Sequence, residues 1–193
     1  VQFLRLREQE MRPGGYLLVS TLGSVPDPNE ANGVAASGRG IYRAIQIVAQ
    51  SMADEGLLDK AILDRFVFAF WFQTEAEARN AIEMDPVLSN SFDIEQLAVR
   101  PALGNADDVF GALIDDPAAY ARQYTGYMRA FADSTLRTQL FAPSAKNADE
   151  AEALAKEFYR RFETLYFEHP GKYKFELWEL TVILCKAKKY REA

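Results

Sequence analysis

VQFLRLREQEMRPGGYLLVSTLG, residues 1–23, is the stretch that decides the fold. Residues 1–11 predict a helix, and Pro13-Gly14-Gly15 predicts a tight turn. Tyr16-Leu17-Leu18-Val19-Ser20 is an uncharged, mostly apolar run of strand length. The order helix, turn, strand predicts that the chain enters a sheet immediately after its first helix.

Composition limits the classes of function. The 193 residues are enough for one domain, or for two unequal layers of one. Lys and Arg number 22 and Asp and Glu 28, without a dominant basic cluster, so nucleic acid is not an expected partner. The longest unbroken apolar run, 66–72, is too short to span a membrane. One cysteine, Cys185, excludes an internal disulfide, and a cytoplasmic location is the default expectation.

Periodicity beyond residue 23 predicts three strands separated by long helical insertions. The segment 24–40 is rich in Gly, Pro, Asn and Ser and predicts a long mobile loop. The run 66–72 lacks alternation, so we expect it to be buried on all sides or to line an apolar pocket. The predicted strands are 16–22, 91–99 and 175–185, and the predicted helices include 41–52, 75–84, one opened by Asp116-Pro117 and one capped by Asn147.

No set of side chains in the chain makes a self-sufficient catalytic or metal site. The single histidine, His169, lies beside a proline at a predicted helix end. With one Cys and one His, a zinc site of sulfur and nitrogen ligands is excluded. Gly38-Arg39-Gly40 does not follow a strand with nucleotide-loop spacing. The acidic pairs Asp107-Asp108 and Asp115-Asp116 stand near helix starts, where they serve as caps. We therefore name no catalytic residue and no metal ligand.

Aromatic and thioether side chains outside the obvious core stripes are the remaining candidates. Tyr42 follows the glycine-rich segment, Trp71 ends the apolar run, and Met128 lies among tyrosines of a predicted helix. Two interpretations stay open from spacing, an ordinary core and an apolar ligand pocket.

Six segments, in order and at matching spacing, resemble the SABATH family of carboxyl methyltransferases, the salicylate, benzoate and theobromine-synthase group. Phe3-Leu4-Arg5-Leu6-Arg7-Glu8-Gln9-Glu10 with Pro13-Gly14-Gly15 is similar to that family's F-L-x-x-R-x-E-E-x-x-P-G-G. The other matching segments are Leu22-Gly23, Met52-Ala53-Asp54-Glu55-Gly56-Leu57-Leu58, Thr74-Glu75-Ala76-Glu77, Ser91-Phe92-Asp93-Ile94-Glu95-Gln96-Leu97 and Tyr127-Met128-Arg129-Ala130-Phe131-Ala132.

The resemblance implies an α/β fold: a partial methyltransferase sheet of strands five, seven and six, mixed or antiparallel, with a large helical cap. The whole chain, 1–193, is then the C-terminal portion of a methyltransferase. The implied sheet segments are 1–24, 90–101 and 172–188, and the implied cap segments are 25–89 and 102–171. Strand seven is expected between the other two and antiparallel to strand five.

The resemblance also implies an acceptor pocket formed by Leu22, Tyr42, Trp71 and Met128. Leu22 matches a pocket leucine at the end of strand five, and Tyr42 aligns with a tryptophan that contacts the acceptor. Trp71 aligns with an aromatic residue beside the acceptor ring, and Met128 matches a methionine of the cap. These four residues are expected to converge on one apolar cavity.

Departures from the family pattern bear on the acceptor. Val67-Phe68-Ala69 stands where members commonly have Asn-x-Pro, Gln139-Leu140-Phe141 where they have His-Phe-Gly, and Tyr42 where they have tryptophan. These changes concern the identity of the acceptor more than the fold.

The function implied is methyl transfer from S-adenosylmethionine to a carboxylate, or another oxygen, of a small molecule. The cofactor site is expected in a half that precedes residue 1, so the chain by itself is expected to be inactive. The alternative is a non-catalytic module of the same ancestry that binds a small ligand or mediates dimerisation. Expected partners are a small-molecule acid and a second copy of the chain in a homodimer, without nucleic acid or membrane.

Overall fold

A computed structural model describes residues 1–102 and 108–188 of the chain. A three-residue 3-10 turn, Gly111–Leu113, and a π-helical turn, Arg137–Phe141, occur within the second range. The helices and strands are α1 Gln2–Glu10, β1 Tyr16–Leu22, β2 Ser24–Pro26, β3 Val34–Ala36, α2 Arg39–Asp54, α3 Lys60–Leu63, α4 Glu75–Glu83, α5 Pro86–Ser91, β4 Phe92–Pro101, α6 Pro117–Leu136, α7 Ala142–Ser144, α8 Ala148–Glu168 and β5 Trp178–Lys186.

The described residues divide into two compact units, each built from separated stretches of sequence. The sheet unit contains residues 1–37, 71–102 and 177–188, and the helical unit contains 38–70 and 108–176. Residues 25–37 and 71–89, which the sequence analysis assigns to the cap, belong to the sheet unit.

The sheet unit contains an antiparallel sheet in the order β1-β5-β4. Because side chains alternate along a strand, one face collects Leu17 and Val19 of β1 with Leu180, Val182 and Leu184 of β5. That face is buried with side chains of α4 and α5, while Leu4 and Met11 pack partly buried against it.

The Lys186 ammonium, at the end of β5, fixes the end of α1. Its Nζ lies 3.0 Å from Glu8 Oε1, and the two side chains are only 12% and 7% exposed. The same Nζ donates to the Met11 carbonyl at 3.0 Å and to the Glu8 carbonyl. The C-terminal end of a helix carries unsatisfied carbonyls and partial negative charge. The Lys186 ammonium therefore satisfies carbonyls at the end of α1 and compensates this charge, where the first helix meets the last strand.

The glycine-rich segment 24–40 differs from the predicted long loop. It contains a short antiparallel hairpin, with Ser24 opposite Ala36 and Pro26 opposite Val34. The Asp27 amide closes the hairpin by donating to the Gly33 carbonyl at 2.9 Å. Two three-residue strands fall below the length at which alternation can be recognised, and the turn residues around them dominate the pattern.

The helical unit follows the caps and stripes of its sequence. The Asp116 side chain accepts from Ala119 N at the start of α6, and Asn147 accepts from Glu150 N at the start of α8, as predicted. Phe158 and Phe162 of α8 are fully buried. Within the described ranges, no helix is both long and apolar enough to cross a bilayer.

Buried tyrosines of α6 hold the segment that leads into β5. The Tyr124 hydroxyl donates to Asp108 Oδ1 at 2.5 Å and accepts from Phe175 N at 2.7 Å. The Tyr120 hydroxyl donates to Asp108 Oδ2 at 2.7 Å and accepts from Gly171 N at 3.1 Å. Burial, and next the hydrogen bond to Asp108, raise the pKa of Tyr120 to about 12 and that of Tyr124 further. Both hydroxyls therefore stay protonated and keep these bonds.

The same relay explains why β5 begins later than predicted. The sequence places the strand at 175–185, whereas the ladder runs from Trp178 to Lys186. Phe175 N bonds to a tyrosine hydroxyl in the helical unit, and the Glu176 carbonyl accepts from Gly38 N at 2.8 Å. These backbone groups are committed elsewhere and cannot join the sheet.

A first prediction concerns Lys186. In Lys186→Met the Glu8 carboxylate keeps its buried position without the ammonium, so urea denaturation should show a loss of about 3 kcal/mol in unfolding free energy. The double variant Glu8→Leu/Lys186→Met should recover most of that loss. Lys60→Met, which removes an exposed lysine 2.8 Å from Asp64, should leave the unfolding midpoint unchanged. Equal effects of the two single lysine variants would contradict the capping role.

A second prediction concerns the tyrosine relay. Tyr124→Phe leaves the buried Phe175 amide without its acceptor, so the unfolding free energy should fall by about 2 kcal/mol. Tyr127→Phe is the matched control, since that residue lies on the same helix and its hydroxyl has no recorded hydrogen bond within 1–102 and 108–188. Chemical denaturation of both variants measures the difference, and similar midpoints would refute the relay.

Candidate functional site

A half-enclosed cavity of about 410 Å³ lies within the helical unit, against one face of α2. That volume is within the ~300–1,000 Å³ range of small-molecule sites. Its α2 wall has the spacing of one helical face, and the opposite wall follows the end of α3. The lining residues are Tyr42, Ile45, Gln46, Ala49, Gln50, Leu63, Asp64, Phe66 and Phe68.

Aromatic rings build one end of the cavity. Phe66 and Phe68 meet edge to face with ring centroids 5.8 Å apart, forming a corner. The Tyr42 ring lies 5.9 Å from Phe68 and 5.4 Å from Phe70, and on α6 Phe131 meets it edge-on at 6.2 Å. Such clusters present flat apolar surfaces with little conformational freedom, which suits a planar ligand.

The segment that carries these phenylalanines is neither helix nor strand. Phe66 and Phe68 are half-buried and line the cavity, whereas Val67 is 65% exposed. Of the two expectations for residues 66–72, burial on all sides is wrong, and Phe66 and Phe68 line a cavity that also has polar walls. The side chains of this segment alternate between the cavity and solvent because the segment lies across a surface and does not cross a core.

The Tyr42 hydroxyl is the polar group of this aromatic end. Burial, and next the nearby Tyr127, raise the pKa of Tyr42 to about 12, so its hydroxyl is a neutral donor at physiological pH. The structure records no hydrogen bond for this hydroxyl among the residues it describes. An unpaired donor beside aromatic walls can bind an oxygen of a ligand.

Amides and a carboxylate form the polar rim. Gln46 and Gln50 lie one helical turn apart on α2, and Gln50 Nε2 donates to Asp54 Oδ1 at 2.7 Å. Asp64 lies 2.8 Å from the Lys60 ammonium, which compensates its charge. The cavity therefore offers aromatic walls and a hydrogen-bonding rim whose one carboxylate is paired with a lysine.

The four residues predicted from the resemblance lie in both units. Tyr42 is half-buried in α2 and lines the cavity, and Met128 is fully buried in α6. Leu22 ends β1 at 36% exposure, and Trp71 is 78% exposed. Gly23 forms a parallel bridge with Gln73, so the stretches bearing Leu22 and Trp71 run side by side. Convergence of all four on one cavity stays a prediction.

Several residues of the cavity did not stand out in the sequence. Gln46 and Gln50 are spaced four apart on the solvent side of an amphipathic helix, where amides are ordinary. The run 66–72 was interpreted as lacking alternation, yet phenylalanine stands at every second position from 66 to 72, and that period of two was the signal that could have separated the lining Phe66 and Phe68 from the exposed Val67.

Gly38 and Gly40, before and at the start of α2, do not have the surroundings of a phosphate-binding loop. Gly38 has φ 75° at the start of α2, but a Cβ there would lie 2.6 Å from the Phe175 ring. A Cβ on Gly40 would lie 2.1 Å from the Lys174 carbonyl oxygen. Because Gly38 and Gly40 have no side chains, the segment before β5 packs directly against them. They therefore do not form a phosphate-binding loop. Within 1–102 and 108–188 no group of three His, Cys, Asp or Glu residues could hold a metal ion.

Comparisons with known proteins agree with this architecture. No curated protein sequence matches. The structure of a loganic acid methyltransferase with SAH is similar, with a TM-score of 0.63 at 16% identity. That match covers 96% of this chain and 46% of the other, so the chain spans about half the length of the structure it matches. The model of the family described as SAM dependent carboxyl methyltransferase matches residues 1–186. The chain therefore belongs to the SAM-dependent carboxyl methyltransferase family, the SABATH group.

Proposed function

We propose that this chain binds the acceptor in a SAM-dependent methyltransferase that methylates a carboxylate, or another oxygen, of a small molecule. The observation that carries the proposal is the cavity beside Tyr42, with its aromatic corner and a Tyr42 hydroxyl that has no hydrogen-bond partner among residues 1–102 and 108–188. Family membership supports methyl transfer in general, and the cavity supplies a place for the acceptor.

Methyl transfer requires the acceptor site to bind the acceptor, to orient it and to remove water from it. A carboxylate is ionised at neutral pH, so its oxygen is nucleophilic without the help of a general base. Flat walls from Phe66 and Phe68 can hold a planar acid, and the Tyr42 hydroxyl can donate to one carboxylate oxygen while the other stays available. Leu22, Trp71 and Met128 belong to this proposal as further acceptor contacts.

In this proposal S-adenosylmethionine binds to a part of the protein outside residues 1–193. S-adenosylmethionine supplies the methyl group when bound. The Phe175 ring occupies the space beside Gly38, and the Lys174 backbone occupies the space beside Gly40, so these glycines leave no room for a cofactor. The proposal includes a cytoplasmic location, since Cys185 is unpaired and a disulfide framework typical of small secreted domains is not available.

A non-catalytic module that binds a small ligand or dimerises is the second candidate, and the same cavity favours it. Ligand binding without methyl transfer by the complete protein would identify it. Formation of a methyl ester would identify the enzyme.

A third prediction tests the acceptor site. Benzoate should bind the chain and shift amide resonances of α2 and of residues 64–70, whereas neutral benzamide should bind more weakly. Tyr42→Phe should weaken benzoate binding about tenfold, roughly 1.4 kcal/mol, because the carboxylate loses its donor. Tyr16→Phe, a variant at a 68% exposed tyrosine of the sheet unit, should bind like the parent. Equal affinities of the Tyr42→Phe variant and the parent would refute the role of the hydroxyl.

A fourth prediction tests the cofactor. Calorimetric titration of the 193-residue chain with S-adenosylmethionine should show no binding tighter than about 100 μM, near −5.5 kcal/mol. Tighter binding would place the cofactor site within these residues and contradict its proposed location. The result is independent of the benzoate titration, so the two parts of the proposal can fail separately.

A further inference from the structure

The segment 171–176, which leads into β5, is anchored within the helical unit. Gly171 N and Phe175 N donate to tyrosine hydroxyls of α6 at 3.1 Å and 2.7 Å. The Tyr166 hydroxyl of α8 donates to the Tyr173 carbonyl at 2.9 Å. Because two long helices hold its backbone, the segment is a fixed support for the elements that pack against it.

The first turn of α2 packs directly against this segment. Gly38 N donates to the Glu176 carbonyl at 2.8 Å. A Cβ on Gly40 would lie 2.1 Å from the Lys174 carbonyl oxygen, so a residue without a side chain is needed for this approach. Arg39 adds an ion pair with two contacts, in which Nε lies 2.7 Å from Glu176 Oε2 and Nη2 donates to Oε1 at 3.1 Å. Backbone and side-chain contacts therefore fix the helix where it begins.

Tyr42, whose hydroxyl is the donor of the cavity, lies one turn into the same helix. Its backbone N donates to the Gly38 carbonyl at 3.3 Å, so the first turn of α2 determines where its ring lies. The ring then contacts Phe68, Phe70 and Phe131. A donor binds a ligand oxygen productively only when it is held to within about 0.5 Å of the required position. The start of α2 is therefore a point at which a contact outside the cavity controls ligand binding.

We propose that Arg39 and Glu176 are positioning residues of the acceptor site, because their ion pair holds the first turn of α2 so that the Tyr42 hydroxyl meets the acceptor carboxylate. This inference rests on the proposed function of the cavity. Both residues lie outside the set that lines the cavity in the described part of the chain. Their side chains are 28% and 23% exposed, and a partly exposed ion pair stabilises a fold only weakly. The pair therefore affects the position of Tyr42 more than the stability of the chain.

Benzoate titrations test this role on the 193-residue chain. Glu176→Gln should weaken benzoate binding about fivefold, less than the loss of about tenfold expected for Tyr42→Phe, because the hydroxyl remains but is no longer held in place. Glu55→Gln is the matched control, since it removes the carboxylate that lies 2.6 Å from Arg161 Nη1 at the opposite end of α2. That variant should bind benzoate like the parent. An equal loss of affinity in both variants would overturn the positioning role.

A double variant separates positioning from a general loss of structure. If Glu176 acts through Tyr42, the variant Glu176→Gln/Tyr42→Phe should bind about tenfold more weakly than the parent, like Tyr42→Phe alone. Independent effects would multiply to about fiftyfold, and that result would overturn the positioning role. Unchanged affinity of Glu176→Gln would also overturn it while leaving the proposed function intact. Absence of benzoate binding by the parent would overturn the proposed function, and the positioning role with it.

Fluorine NMR measures the position of Tyr42 without ligand. In protein labelled with 3-fluorotyrosine, the Tyr42 resonance is identified by its loss in Tyr42→Phe. It should shift in Glu176→Gln and in Gly40→Ala, whose added Cβ forces the Lys174 backbone away. Gly126→Ala, where an added Cβ meets no described atom beyond its own helix within 4 Å, should leave it unchanged. An unmoved Tyr42 resonance in Glu176→Gln would overturn the positioning role, whether or not Gly40→Ala folds.

Discussion

The pairing of β5 with strands on both of its sides is the constraint on which the sheet unit depends. β5 is the last described strand, yet it lies between β1 and β4 and contributes Leu180, Val182 and Leu184 to the buried cluster. Its final residue carries the ammonium that holds the carbonyl end of α1. One strand therefore links the beginning, middle and end of the chain by hydrogen bonds, apolar burial and a buried ion pair.

Much of the fold could be predicted where local physics dominates. The predicted helix start at residue 75 and the predicted Asp116 and Asn147 caps were correct, because a cap, such as the Thr74–Glu77 capping box of α4, is a contact within a few residues. Alternation along β5 is likewise local, and Leu180, Val182 and Leu184 form its buried face. The β2–β3 hairpin was missed, since two strands of three residues leave too few positions for a period of two to be seen.

The site was harder to predict than the fold. Tyr42 lines the cavity, but its neighbours Phe68 and Phe131 come from sequence positions far apart, and spacing cannot report such contacts. The start of β5 was misplaced for a related reason, because Phe175 is held by a tyrosine more than 50 residues earlier. Sequence patterns report contacts between residues that are close along the chain. The Tyr42 cavity and the start of β5 depend instead on polar and aromatic contacts between residues that are far apart in the sequence.

The interleaving of the two units has a consequence for synthesis on the ribosome. The chain leaves the sheet unit after residue 37, returns at 71, and supplies β5 only after residue 176. From the emergence of β1 until the emergence of β5, β1 is an uncharged, mostly apolar strand without its β5 partner, and non-local pairing of this kind is slow. During that interval the apolar side chains and backbone groups of β1 lack their β5 contacts, and such transient exposure favours aggregation.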